Sequence, residues 1–92
     1  MPVKQCILFG QSIGSLDDLY DELTRQLSLP KCFGRNLDAL WDALTTDVRG
    51  PVELVWKDSA ISQAVMGRDF DKISALLEEV ERTRVDFAVF FR

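Results

Sequence analysis

The 92-residue chain contains no histidine, and this absence restricts its chemistry more than any other feature of the composition. Histidine is the side chain that titrates near neutral pH without help from its surroundings. Nucleophilic Ser–His and Cys–His pairs are therefore excluded, and so are metal sites with imidazole ligands. Carboxylate or lysine chemistry stays open in principle, but we expect a protein that is not an enzyme and needs no cofactor or metal.

Cysteine, excess positive charge and long apolar runs are also scarce. Cys6 and Cys32 form no CxxC pair and are interpreted as reduced thiols, with a redox-sensitive interface role for Cys32 as the alternative. The apolar run 6–9 is too short for a signal sequence or a membrane span. A net charge of −4 disfavours nucleic acid and anionic membranes as partners and favours a basic protein. We expect a cytoplasmic protein that is monomeric when free.

The remaining composition is that of one globular domain covering residues 1–92. Hydrophobic residues make up 47% and charged residues 28%, which is typical of folded proteins, and no repeat or linker interrupts the chain. Three short apolar runs, at 3–9, 52–56 and 85–91, predict β-strands.

Helical spacing fills the segments between these strands. Ser15 and Asn36 are suitable N-caps for the first two helices. The segment 59–66 is weakly helical and ends at Gly67, after which Asp69 is expected to cap a fourth helix. The order β-α-α-β-α-α-β predicts an α/β fold with a three-stranded parallel sheet and packed helices. A mixed sheet with one antiparallel edge is the alternative.

The second helix carries an unusual pair of charges. Its apolar face comprises Leu37, Leu40, Trp41, Leu44 and Val48. Asp38 and Asp42 lie beside this face, one turn apart, and position 46 is a threonine rather than a basic residue. Like charges at this spacing destabilise a helix by roughly 0.2–0.5 kcal/mol. The pair is either a solvated face that tolerates this penalty or a surface for cationic groups of a partner.

The segment 29–56, LPKCFGRNLDALWDALTTDVRGPVELVW, resembles the barstar family of small intracellular ribonuclease inhibitors. The similarity is densest from Gly34 to Thr45 and continues at Pro51 and Trp56. It can be drawn without gaps from Gly10 to the last predicted strand, although outside the central segment it is mainly a hydrophobic pattern.

This resemblance implies a fold, a partner and a binding site. The family fold is a three-stranded parallel sheet with packed helices, as the strand and helix pattern also predicts. The family inhibits a ribonuclease by inserting the second helix and the preceding loop into its active site. Asp42 matches the central acidic residue, which occupies the site of the substrate phosphate. The implied partner-binding residues are Cys32, Phe33, Gly34, Asn36, Asp38, Asp42, Val48 and Glu79.

The chain departs from the family pattern at several of these positions. Cys32 replaces the first of two aromatics, and Asp47 replaces an aromatic near the helix end. Arg35 and Arg49 stand where acids are often found, and Lys31 adds a further positive charge. These changes make the surface less uniformly negative, so we expect a different cognate enzyme or differently tuned binding.

Two other functions compete with ribonuclease inhibition. An acidic binding module could recognise a different toxin or another basic protein. The other is a small enzyme or nucleotide-binding α/β protein, which neither a glycine-rich phosphate loop nor a histidine supports. The glutamates around Glu79 could equally form a solvated helix face.

Overall fold

The three predicted strands form one parallel sheet in the order β1-β2-β3. The computed structural model describes residues 3–30 and 33–92. Its elements are β1 (Lys4–Phe9), α1 (Leu16–Leu27), α2 (Leu37–Asp42), a π-helical turn (Ala43–Asp47), β2 (Val52–Lys57), α3 (Ser59–Met66), α4 (Arg68–Thr83) and β3 (Phe87–Phe91). The predicted α/β order is confirmed, and both strand pairings in the described chain are parallel.

The core lies on one face of this sheet. In the register that pairs the three strands, Cys6 is opposite Leu54 and Leu54 is opposite Val89, and all three are buried. The residues that alternate with them are half-buried or exposed. Trp56 is fully buried and packs edge-on against Phe70 of α4, with ring centroids 5.1 Å apart. The helices therefore build a two-layer molecule on a sheet with one buried face.

Helix side chains form hydrogen bonds with the backbone of one residue on each outer strand. Gln26 of α1 accepts from the Ile7 amide at 2.9 Å and donates to the Ile7 carbonyl at 2.7 Å. On the opposite edge, the Val89 amide donates to Glu81 of α4 at 3.0 Å. Unpaired edge groups invite pairing with another chain. These contacts therefore disfavour edge-to-edge association at the two points.

The helix boundaries follow the predicted caps in the first half of the chain and differ in the second. Ser15 accepts from the Asp18 amide at 3.1 Å, as an N-cap should. The prediction that Asp69 caps α4 is wrong, because Gly67, with φ of 59°, closes α3 and directly precedes Arg68. The third strand begins at Phe87 rather than at residue 85, because Val85 and Asp86 form a turn, in which Val85 is fully exposed.

The C-cap of α1 offers a test of local backbone preference. Ser28 adopts a left-handed conformation, with φ of 55° and ψ of 52°. Glycine reaches this region without steric penalty. We expect Ser28→Gly to raise the free energy of unfolding by about 0.5–1 kcal/mol, measured by urea denaturation. Ser12→Gly is the control, because Ser12 is exposed and lacks positive φ. A loss of stability in Ser28→Gly would contradict the prediction.

Candidate functional site

The loop before α2 is organised by the N-cap residue predicted from the sequence. Asn36 has extended backbone angles, and its side-chain oxygen accepts from the Ala39 amide at 2.7 Å. Its side-chain nitrogen donates to the Gly34 carbonyl at 3.3 Å. One side chain thus fixes both the exposed loop and the first helical turn, which carries Asp38.

Asp38 and Asp42 are exposed on α2, one turn apart. Neither carboxylate has a hydrogen bond or ion pair with any residue of 3–30 or 33–92. Leu40 and Leu44 hold the opposite side of this segment in the core and are fully buried. Four carboxylate oxygens are consequently presented to solvent on an anchored helix. We call Asp38 and Asp42 the acidic face.

The helix does not continue regularly beyond Asp42, which the sequence analysis did not foresee. The Val48 amide donates to the Ala43 carbonyl at 2.9 Å, a bond that spans five residues and widens the turn. The hydroxyl of Thr45 donates to the Trp41 carbonyl at 2.7 Å, and that of Thr46 to the Asp42 carbonyl. Such hydroxyl bonds to preceding carbonyls distort helices. In the sequence, the adjacent residues Thr45 and Thr46 were the feature that could have indicated an irregular helix end here.

Arg35 is directed towards α1 rather than left as a free charge beside the acidic face. Its backbone is left-handed, with φ of 51°. Its guanidinium lies 3.2 Å from an Asp17 carboxylate oxygen and 2.9 Å from one of Asp21, above the Tyr20 ring. Two acidic side chains thus accompany the positive charge that was expected to dilute the acidic surface. An open cleft of about 770 Å³ lies between α1 and this loop and includes Asp38 in its lining.

The other predicted contact residues have different environments. Phe33 is half-buried and packs edge-on against Tyr20, with ring centroids 5.5 Å apart. Val48 is only 6% exposed, so its side chain belongs to the core and offers little surface to a partner. Glu79 is exposed on α4 and forms an ion pair with Arg82. Cys32, like Lys31, lies outside the described residues.

A residue that the sequence analysis did not select contacts the π-helical turn that follows α2. Arg84 donates from Nη1 to the carbonyls of Leu44 and Val48 at 2.6 and 2.9 Å. Its other nitrogens bind Asp86, and this hydrogen-bonded pairing lowers the pKa of the Asp86 carboxyl below its ordinary value. No local pattern identifies such a contact, because it joins segments far apart in the chain.

Comparison with known proteins decides the family. A family model described as "Barstar (barnase inhibitor)" matches residues 3–92. The chain belongs to the barstar family. It is also 33% identical over 84 residues to a curated Bacillus subtilis (strain 168) protein named "Putative ribonuclease inhibitor YrdF". The aligned region covers 91% of this chain and 92% of the relative. The resemblance carried by segment 29–56 is therefore confirmed.

No group of three His, Cys, Asp or Glu side chains within 3–30 and 33–92 is arranged to hold a metal ion. Cys6 is buried, and burial raises the pKa of its thiol to about 12, so it stays protonated and unreactive. None of the helices in these residues is long and apolar enough to cross a membrane.

Proposed function

We propose that this barstar-family protein is an intracellular inhibitor that binds a ribonuclease one-to-one and occludes its basic active site with the acidic face. The observation that carries the proposal is the exposure of Asp38 and Asp42, without partners among the described residues, on a helix anchored in the core. Asp42 is the central contact and takes the place of an RNA phosphate. The protein acts as a cytoplasmic immunity protein and not as an enzyme, protecting the cell that makes the ribonuclease.

The chemistry of a ribonuclease cleft explains the fit. An enzyme that holds RNA phosphates needs Arg and Lys side chains, and carboxylates accept strong charge-assisted hydrogen bonds from them. Removing these charges from water is costly, so each carboxylate needs well-placed donors in the complex. The unpartnered pair that weakens the free helix thereby becomes the source of binding.

The other predicted residues take supporting roles in this proposal. Gly34 and Asn36 present the loop, while Phe33 supports it by packing on α1. Glu79 adds a further contact by exchanging Arg82 for a basic group of the enzyme. Val48 contributes through its backbone and the shape of the turn, because its side chain is buried. Cys32 is placed at the interface by the resemblance alone.

The proposal is tested by titrating the protein into a ribonuclease while RNA cleavage is followed. Barnase, which the family description names, is the first probe. Where a secreted nuclease is encoded next to this gene, that enzyme is the second. We expect cleavage to stop at one equivalent of inhibitor. Continued cleavage of RNA by both enzymes in excess inhibitor would reject the proposal, and recovery of a different basic protein in a pull-down would favour the acidic binding module.

The association rate provides a further prediction. Opposite fields on inhibitor and enzyme accelerate their encounter, and salt screens these fields. We expect the association rate constant with barnase to fall about tenfold or more as the Debye length shortens from about 30 Å at 0.01 M salt to about 3 Å at 1 M. Stopped-flow mixing over this range measures the effect. A rate constant independent of salt would exclude electrostatic steering.

A further inference from the structure

We propose that Arg84 is a positioning residue for inhibition. It fixes the π-helical turn that continues α2, so that Asp38 and Asp42 are held in place for the partner. Arg84 itself is mostly buried and needs no contact with the enzyme. The inference rests on the proposed function, because it concerns how the same acidic face is presented.

The first step concerns the unpaired carbonyl groups at the C-terminal end of a helix, which need hydrogen-bond donors. The last carbonyls of a helix have no intrahelical partner and must be satisfied by other groups. Here the wide turn that follows Asp42 leaves the carbonyls of Leu44 and Val48 to Arg84, whose Nη1 donates to both at 2.6 and 2.9 Å. A positive charge at this end also suits the helix dipole.

The second step is that the guanidinium is itself held in place. Nε and Nη2 of Arg84 donate to the two carboxylate oxygens of Asp86, each at 2.9 Å. This paired geometry is specific to arginine, since lysine cannot donate as a planar fork. The Arg84 side chain is only 13% exposed, unlike those of the surface ion pairs. Arg84 therefore joins the π-helical turn after α2 to the connection between α4 and β3.

Gly50 shows how closely the chain passes beside this pair. A Cβ atom at position 50 would lie 2.3 Å from Oδ2 of Asp86 and 2.7 Å from Nη2 of Arg84. Only glycine leaves room for the paired side chains. The π-helical turn and Gly50, which are separate parts of the chain, thus both lie in contact with the Arg84–Asp86 pair.

The third step connects this anchor to binding. The regular part of α2 has only six residues, too few to be stable without tertiary support. If its C-terminal end moves, the carboxylates of the acidic face must be ordered again when the partner binds, and that ordering reduces affinity. The loss of Arg84 is therefore expected to shorten the lifetime of the complex. It also removes a positive charge, so association with a basic enzyme does not slow.

The test compares the dissociation rates of wild-type protein, Arg84→Gln and Arg84→Lys from barnase or, where the wild-type protein inhibits only the neighbouring nuclease, from that enzyme. We expect Arg84→Gln to raise the dissociation rate constant about tenfold, with an unchanged or slightly higher association rate constant. Arg84→Lys keeps the positive charge but loses the paired donors of the guanidinium. We therefore expect its dissociation rate constant to lie between those of wild-type protein and Arg84→Gln. Arg25→Gln is the matched control, because it makes the same charge change at an exposed ion pair with Glu22.

Two further measurements separate positioning from general stability. Amide hydrogen exchange at Val48, whose N–H binds the Ala43 carbonyl, should accelerate in Arg84→Gln while exchange in β2 stays as in wild type. In the Asp42→Ala background, the effect of Arg84→Gln on dissociation should shrink, because the anchored carboxylate is gone. Independent, additive effects of the two substitutions would overturn the inference.

The outcomes also separate this inference from the proposed function. If wild-type protein binds barnase and Arg84→Gln dissociates at the same rate, Arg84 has no positioning role and the proposed function stands. If wild-type protein binds neither barnase nor the neighbouring nuclease, the proposed function fails and the inference fails with it.

Discussion

Asp42→Ala is expected to weaken binding to the ribonuclease by about 3–5 kcal/mol, or roughly 10²- to 4 × 10³-fold. In the proposed complex, this carboxylate lies among the basic groups that normally hold a phosphate. Its removal leaves these cations desolvated and unpaired, which is far more costly than the loss of an exposed ion pair. Calorimetry with barnase, or competition against the wild-type protein, measures the change.

The same substitution should leave the free protein folded and slightly more stable. Asp42 is exposed, and its carboxylate has no hydrogen bond or ion pair with the described residues. Alanine favours helix more than aspartate, and the repulsion from Asp38 disappears, so we expect a gain of a few tenths of a kcal/mol at most. Opposite changes in binding and stability would show that Asp42 serves the partner and not the fold.

Asp71→Ala is the matched control for this prediction. Asp71 is also an exposed helical aspartate whose side chain has no partner among the described residues, but it lies in the first turn of α4. The net charge changes equally, so long-range electrostatics change similarly. We expect less than about a threefold change in affinity from this variant. Equal affinities for wild-type protein and Asp42→Ala would refute the role assigned to the acidic face.

The sequence predicted the structural features that depend on residues close together in the chain. Ser15 and Asn36 are N-caps in the structure, because a short polar side chain before an apolar periodic segment satisfies the first free amides. The parallel pairing of the three strands follows from the helical crossovers between them. The acidic pair was found for the same reason, since its spacing on a helix is set by the helical repeat alone.

Features that depend on contacts between distant segments could not be predicted from the sequence. Arg35 was expected to dilute the negative surface, but Asp17 and Asp21 of α1 bind it. The role of Arg84 could not be recognised in the sequence, because its acceptors are backbone carbonyls about forty residues earlier. Val48 matched a contact position, yet the extended backbone after the π-helical turn leaves its side chain buried in the core.

Gly10→Ala is expected to have the largest effect on stability. A Cβ atom at this position would lie 1.8 Å from the Asp58 carbonyl oxygen and 2.7 Å from the carbonyl carbon. These are backbone atoms just before α3, so no side-chain rotation relieves the overlap. Gly10 also donates to the Lys57 carbonyl at 2.7 Å and accepts from the buried hydroxyl of Ser62 at 3.2 Å. The backbone shift that accommodates a methyl group must strain both bonds.

We expect Gly10→Ala to reduce the free energy of unfolding by about 3 kcal/mol or more and to lower the melting temperature by roughly 12–24 °C. Gly14→Ala is the control, because its Cβ would lie 3.3 Å from a methyl group of Val65, whose flexible side chain is exposed, and 3.8 Å from Oδ2 of Asp18, which is ordinary van der Waals contact. Calorimetric melting of the two variants measures the difference. If both variants melt like the wild-type protein, the close approach of β1 to the start of α3 is not what positions α3, and the buried Trp56–Ser62–Gly10 hydrogen bonds must be arranged differently.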